Sequence, residues 1–273
     1  MDIKLLVLDI DNTIAGKSNQ VSETVLEAIA KAKAKGIQVA IATGRMYCSA
    51  LRFHRSVGSQ LPLVAYNGAL IQDPQNKAID RHLPVSVETA LELLNYYEEL
   101  ESSSSVEVHF YRDDRLYVRE ITPQTVNYAE RADAEPIAVG DLRQVLDKEI
   151  TKVLALCRDT ELMEAIAKDL RDRYLPQQLY LTQSTAIYFE ATNPLANKGS
   201  AVRYLTEDIL GLKPENIMAV GDNFNDLEML KYAGIGVAMG SAPTGVKEIA
   251  DWVAPDVEQE GAAAAIEKFL LHA

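Results

Sequence analysis

Two aspartates, Asp9 and Asp11, lie at the end of the first apolar segment of the chain, Lys4 to Ile10. Two carboxylates beside an apolar strand are costly to remove from water, so their presence there favours a functional role. The alternative is structural, because an aspartate can also cap the helix that follows it.

A second acidic motif follows the apolar segment Asn216 to Val220. It contains Asp222 and Asp226, four residues apart, with Asn225 beside the second aspartate. Carboxylate and amide oxygens make up the hard ligand set that suits Mg²⁺. The motif therefore favours a metal site.

Two further motifs offer groups that bind anions. Thr43-Gly44-Arg45 ends the apolar segment Ile37 to Ala42 and presents a hydroxyl and turned backbone N–H groups. Lys198 follows Asn197 at the predicted start of a helix that runs to Leu210. Taken alone, each motif is weak, since Thr-Gly also ends strands for reasons of turn geometry and most lysines are simply solvated.

The apolar segments that precede these residues are typical of strands buried on both faces of a parallel sheet. Segments of this kind lie at 4–10, 37–42, 61–66, 216–220, 234–239 and 252–253. Between the first two, the pattern predicts a helix that Ser22 caps and Gly36 ends. Because parallel strands place ligands at their carboxyl ends, the acids, the hydroxyl and the lysine are expected to converge at one edge of the sheet.

The middle of the chain has a different pattern. Polar and apolar residues alternate there, with a hairpin at Asp113-Asp114, which predicts an antiparallel sheet with one exposed face. The predicted organisation is one α/β domain made from residues 1–82 and 190–273, with an α+β domain inserted at 83–189. The serine run 102–105 is predicted to be a loop within the insert.

Composition excludes some classes of function. With 27 basic and 40 acidic residues the net charge is −13, which disfavours nucleic acid and anionic membranes as partners. No signal peptide or membrane-spanning segment is evident, and the two cysteines are far apart, so we expect a cytoplasmic protein. A chain this acidic needs a local device, such as a metal ion or a helix N-terminus, to hold an anionic substrate.

In chain order, these motifs resemble those of the haloacid dehalogenase superfamily: Asp9-x-Asp11-x-Thr13, Thr43, Lys198 and Gly221-Asp222-x-x-Asn225-Asp226. The long segment between Thr43 and Lys198 is similar to the branch with a large C2 cap of type IIB, and Asn67-Gly68-Ala69 resembles the Cof-type phosphatases. The resemblance implies a Rossmann-like, doubly wound parallel sheet with an inserted α+β cap domain. Asn12 departs from the pattern, because those relatives usually have glycine there.

The resemblance implies a Mg²⁺-dependent phosphatase that works through an aspartyl-phosphate. Asp9 would be the nucleophile, and Asp11 would be the general acid and then the general base. Mg²⁺ would be held by Asp9, Asp222, Asp226 and the backbone carbonyl of Asp11. The groups implied or expected to contact substrate are Thr43, Gly44, Lys198, Asn225, Arg45 and Asn67.

The expected partner is a small phosphorylated metabolite. Sugar phosphates, phosphoglycolate and nucleotide or cofactor phosphates all remain open, as does the oligomeric state. One alternative is a phosphosugar mutase, which would need a strongly basic cap pocket from Arg112, Arg115 and Arg119. Another is a non-catalytic, metal-dependent binding protein, which should have lost a catalytic group.

Overall fold

The computed structural model describes residues 2–101 and 106–271, so the predicted serine loop at 102–105 lies outside the described residues. The strands are β1 Leu5–Leu8, β2 Gln38–Ile41, β3 Leu63–Ala65, β4 Leu70–Gln72, β5 Ile79–His82, β6 Glu107–Arg112, β7 Arg115–Val118, β8 Pro136–Ala138, β9 Lys152–Leu156, β10 Tyr180–Thr185, β11 Tyr188–Thr192, β12 Ile217–Gly221, β13 Ile235–Ala238 and β14 Trp252–Val253. The helices are α1 Glu23–Ala34, α2 Tyr47–Ser56, α3 Val87–Glu101, α4 Pro123–Ala132, α5 Thr160–Arg173, α6 Lys198–Tyr204, α7 Leu227–Tyr232, α8 Thr244–Lys247 and α9 Gly261–Ile266. Helix α6 continues in a π turn, Leu205–Ile209, so the helical segment ends one residue before the predicted end at Leu210.

The chain divides into two compact units. The first comprises Met1–Arg81 and Asn197–Ala273, and the second comprises His82–Ala196. The first predicted boundary, after residue 82, differs from this division by one residue. The second, after residue 189, falls inside β11, because that strand pairs with β9 and β10 up to Thr192 within the sheet of the second unit.

The first unit is built on a five-stranded parallel sheet in the order β14-β13-β12-β1-β2. Strand β1 is central, and its Leu8 pairs with Ile41 on one side and Val220 on the other. All four residues of β1 are buried, as expected for a continuous apolar strand in a parallel sheet. Leu5 and Val7 pack in one core cluster with Ala201 and Leu230, from α6 and α7.

The third apolar segment does not join that sheet as a regular strand. β3 makes one isolated parallel bridge to it, between Ala42 and Val64, and pairs instead with β4 in a small sheet ordered β3-β4-β5. The pairing of β3 with β4 is antiparallel, because the chain reverses through a short turn at Tyr66–Gly68. An apolar run predicts a buried strand but does not reveal this reversal.

The second unit contains a six-stranded sheet in the order β10-β11-β9-β6-β7-β8. The predicted hairpin forms, since β6 and β7 pair antiparallel across Asp113 and Asp114. The edge strand β8 was not predicted, and it pairs parallel with β7. One face of the sheet packs against α3 and α5 through residues such as Phe110, Leu94 and Ile166. The α+β character expected of the insert is therefore present.

In the part of the chain that the structure describes, no helix combines the length and the apolar character needed to cross a bilayer.

Candidate active site

Three neighbouring strands of the parallel sheet end in polar side chains. Asp9 follows β1, Thr43 follows β2 after one residue, and Asp222 follows β12 directly. The parallel register aligns Leu8 with both Ile41 and Val220, so the residues that follow leave the same edge of the sheet. This is the convergence that the sequence predicts.

Lys198 joins two of the predicted acids. Its Nζ donates to Asp9 Oδ1 at 2.7 Å and to Asp226 Oδ1 at 2.5 Å, and all three side chains are almost fully buried. Lys198 is the first residue of α6, where the side chain of Asn197 accepts a hydrogen bond from the backbone N–H of Ser200 at 2.7 Å. The helix cap therefore fixes the backbone position of Lys198, from which the side chain extends to the edge of the sheet.

The second oxygen of Asp226 is also occupied. Its Oδ2 accepts from the backbone N–H groups of Asp222 at 2.8 Å and Asn223 at 3.0 Å. The carboxylate lies directly against Gly221, where an added Cβ would come within 2.5 Å of Asp226 Cγ. Glycine at this position therefore makes room for the carboxylate, which two backbone N–H groups of the motif and the Lys198 ammonium hold in place.

Burial sets the proton affinity of these groups. The pKa of Asp222 is raised to about 7, mainly by burial and then by the charge of Asp226, while Lys198 and a hydrogen bond from Asn12 oppose the rise. Burial likewise raises the pKa of Asp9 well above its ordinary value, although Lys198 opposes it. For Lys198, burial alone would lower the pKa, but Asp226 and Asp9 outweigh it and hold the ammonium charged.

These residues fit a divalent cation. Asp9, Asp222 and Asp226 each offer one carboxylate oxygen, and these oxygens lie within 4.8 Å of one another. Three buried carboxylates against one ammonium leave two negative charges without partners, which is costly in a buried site. This cost is the reason that the pKa values of Asp9 and Asp222 are raised. A divalent cation, which prefers oxygen ligands, would neutralise the excess negative charge.

Asp11 is paired with Arg45. The Arg45 guanidinium donates from Nε to Asp11 Oδ2 at 2.9 Å and from Nη2 to Asp11 Oδ1 at 2.6 Å. Nη2 also donates to Asn19 Oδ1 at 2.8 Å. The predicted general acid and a predicted substrate contact are therefore partners of each other, and Asn19 is a participant that the sequence did not single out.

Asn12, the departure from the family pattern, has a left-handed backbone with φ of 53°. Glycine adopts this conformation freely, and asparagine is among the residues that tolerate it best. Its side chain also hydrogen bonds to Asp222. The substitution therefore keeps the turn after Asp9 and adds a contact to the acidic cluster.

The remaining predicted contacts form a second group. Asn225 Nδ2 donates to Asn67 Oδ1 at 2.9 Å, and the backbone N–H of Asn67 donates to the carbonyl of Thr43 at 2.9 Å. Gly44 lies beside the same amide, where an added Cβ would be 3.0 Å from Asn67 Oδ1. Asn67 has a left-handed backbone with φ of 55°, a conformation that asparagine tolerates better than most residues.

The chain is similar to known proteins over almost its whole length. A family model described as haloacid dehalogenase-like hydrolase matches residues 6–266. The 5-amino-6-(5-phospho-D-ribitylamino)uracil phosphatase YitU of Bacillus subtilis (strain 168) is 28% identical over 273 residues, which cover 97% of each chain.

Two solved structures share the fold. The crystal structure of TM0651 from Thermotoga maritima has a TM-score of 0.85 and 27% identity, over 98% of this chain and 97% of that one. The subclass IIB sugar phosphatase BT4131 has a TM-score of 0.79 and 22% identity, over 97% of this chain and 98% of that one. At that identity, the second likeness concerns the fold alone.

Proposed function

The chain belongs to the haloacid dehalogenase-like hydrolases and is a phosphatase of small phosphate esters, and we propose that it uses Mg²⁺ and carries the phosphoryl group on Asp9. The observation that carries the proposal is the buried cluster in which Lys198 joins Asp9 to Asp226 beside Asp222. The non-catalytic alternative predicts the loss of a catalytic group, and none of Asp9, Asp11 and Lys198 is missing.

In the first half of the reaction, Asp9 attacks phosphorus as the bond to the leaving oxygen breaks. The lysine ammonium 2.7 Å from Asp9 Oδ1 reduces the repulsion between this carboxylate and the anionic phosphate. Asp11 gives a proton to the leaving oxygen, so that an alcohol departs rather than an alkoxide. The products of this half are the free alcohol and an aspartyl-phosphate on Asp9.

In the second half, Asp11 is a carboxylate and takes a proton from water as the water oxygen attacks phosphorus. The bond from phosphorus to Asp9 breaks, which releases inorganic phosphate and restores both carboxyl groups to their starting states. Thr43, Gly44, Lys198 and Asn225 hold the phosphoryl oxygens, and Asn67 is proposed as a weaker contact of the substrate.

The residues that would hold Mg²⁺ are Asp9, Asp222, Asp226 and the backbone carbonyl of Asp11. When bound, the cation neutralises the phosphate and the carboxylates together and polarises the phosphoryl oxygens. Both oxygens of Asp226 already accept protein hydrogen bonds. This supports a contact through water for Asp226, with Asp9 and Asp222 as direct ligands.

We further propose that the second unit is the cap domain and selects the leaving group. YitU is named for its substrate, a phosphorylated ribitylaminouracil, which suggests sugar phosphates and their nucleobase-like derivatives as the first class to test. A cytoplasmic location stays a prediction from the sequence.

The mutase alternative is disfavoured by the arginines that it would need. Arg112 donates to Asp147 and to the carbonyl of Val145, and Arg119 donates to Glu98 at 2.6 Å. Two of the three predicted cap arginines are therefore paired with acids of their own unit. A pocket that rebinds a sugar bisphosphate needs basic groups available to a second phosphate.

The test is release of inorganic phosphate from a panel of small phosphomonoesters, with Mg²⁺ and with chelator. We expect turnover that needs Mg²⁺, peaks on a few esters and is lost in Asp9→Asn. Asp208→Asn, at an exposed aspartate of the same unit, is the matched control and should keep full turnover. Full turnover in Asp9→Asn would overturn the proposed nucleophile.

A further inference from the structure

Asp11 belongs to a small irregular hairpin, residues 11–21, which we call the flap segment. Isolated bridges join Asp11 to Ala15 and Ala15 to Val21 within it. The Asp11 side chain is 55% exposed, whereas that of Asp9 is 5% exposed. Packing therefore does little to orient Asp11, and its direction depends on specific polar contacts.

Arg45 supplies those contacts from a rigid position. Its Nε and Nη2 donate to the two oxygens of Asp11, a bidentate arrangement that fixes the plane of the carboxylate as well as its position. The guanidinium carbon lies 4.6 Å from the centroid of the Phe53 ring, and the Arg45 side chain is only 11% exposed. The contact to Asn19 ties the same nitrogen, Nη2, to the far part of the flap segment.

The flap segment also has attachments that do not involve Arg45. The backbone N–H of Lys17 donates to Glu258 Oε1 at 2.8 Å. Just beyond the segment, the Ser22 hydroxyl donates to Glu260 Oε2 at 2.5 Å. These contacts hold the hairpin without Arg45, so a loss of Arg45 should free the Asp11 side chain while the hairpin keeps its place.

We infer that Arg45 is a positioning residue that orients Asp11 for proton transfer, rather than a contact for the substrate phosphate. The inference rests on the proposed function, since it concerns the residue proposed as acid and base. The competing interpretation uses Arg45 Nη1, which is buried and has no hydrogen-bond partner among the described residues. That nitrogen would then hold a phosphoryl oxygen of every substrate.

The two interpretations differ in how the effect depends on the leaving group. When an alkyl ester is cleaved, the leaving oxygen must gain a proton from Asp11 as its bond to phosphorus breaks. When 4-nitrophenyl phosphate is cleaved, nitrophenolate is stable as an anion and departs without that proton. A misplaced Asp11 therefore slows formation of the Asp9 phosphate from the alkyl ester only. Loss of a phosphate contact would slow the reaction of both esters.

The experiment compares kcat/KM for 4-nitrophenyl phosphate and for the best alkyl ester of the panel, because kcat/KM reports the first half of the reaction. In Arg45→Gln we expect a loss of about 100-fold on the alkyl ester and less than about 5-fold on the nitrophenyl ester. Arg45→Lys should not restore the alkyl rate, since an ammonium cannot form the bidentate pair. The matched control is Arg52→Gln, which removes a second guanidinium from the same Phe53 ring, 4.3 Å from its centroid, and should leave both values unchanged.

The Asp11→Asn variant distinguishes a failure of the role inferred for Arg45 from a failure of the proposed function. If Asp11→Asn shows the leaving-group dependence and Arg45→Gln loses both esters equally, Arg45 is not a positioning residue and the proposed function stands. If Asp11→Asn itself lacks the dependence, the proposed acid role of Asp11 fails. In the double variant we expect no loss on the alkyl ester beyond that of Asp11→Asn, because both changes remove one function. Additive losses would contradict the inference.

Discussion

Replacement of Asp222 by asparagine should stabilise the metal-free protein while it removes activity. Asp222 is 8% exposed, and its pKa of about 7 compares with an ordinary value of 3.8. The folded state therefore holds a proton that the unfolded state loses between these pH values. As pH rises through that window, the stability of the metal-free protein falls, and the loss is complete above about pH 7.

The size of the effect follows from the same two values. A rise in pKa from 3.8 to about 7 corresponds to about 4 kcal/mol. Asp9 and Asp222 both carry the unfavourable negative charge of the cluster. When Asp222 is neutral, Asp9 ionises in its place, so the substitution removes only part of this cost of about 4 kcal/mol. We therefore expect the free energy of unfolding of Asp222→Asn to exceed that of wild type by about 2 to 4 kcal/mol at pH 8 in chelator. At pH 4 the two free energies should be nearly equal.

The assay is urea unfolding in chelator at pH 4 and pH 8, for wild type, Asp222→Asn and the exposed control Asp208→Asn. The control should differ from wild type by less than about 0.5 kcal/mol at either pH. Addition of Mg²⁺ should stabilise wild type and should stabilise Asp222→Asn much less. If Asp222→Asn is no more stable than wild type at pH 8 in chelator, Asp222 is not a destabilised carboxylate and the electrostatic account of the site is wrong.

Three further variants test parts of the same cluster. Lys198→Met removes the ammonium between Asp9 and Asp226. The free energy of unfolding in urea, at pH 8 in chelator, should fall by about 3 to 5 kcal/mol, and phosphate release should stop. An unchanged free energy of unfolding would contradict the pairing. Gly221→Ala places a Cβ 2.5 Å from Asp226 Cγ and should raise the Mg²⁺ concentration needed for half-maximal turnover at least tenfold, whereas Gly245→Ala, whose nearest contact is 3.5 Å away, should not. Asn12→Val, at φ of 53°, should be less stable than Asn12→Gly by about 1 to 3 kcal/mol in urea, and equal stabilities would show that the turn is not strained.

Much of this architecture could be predicted from local sequence patterns. Strands β1, β2 and β12 are continuous apolar runs, and a parallel sheet requires such runs because both of its faces are buried. The convergence of Asp9, Asp222 and Lys198 then follows from the rule that ligands bind at the carboxyl ends of parallel strands. This part of the site needed only strand order and direction.

Other features depend on contacts that local patterns do not contain. Arg45 follows a strand as a phosphate-binding residue would, but its long side chain turns to Asp11 and Asn19, which are far away in sequence. Strand β8 is three residues long and begins with Pro136, so it carries almost no strand signal. The space that Gly221 leaves for Asp226 is visible only when both are placed in three dimensions.

The most direct test of the central claim is to identify the residue that carries the phosphoryl group. Asp11→Asn lacks the base for the second half of the reaction, but nitrophenolate can still depart, so this variant should accumulate the intermediate with 4-nitrophenyl phosphate and Mg²⁺. After acid quench, mass spectrometry should find one phosphoryl group on Asp9 and about one equivalent of nitrophenol released. Nitrophenol release with an unmodified Asp9, or with the phosphoryl group on another residue, would contradict the account.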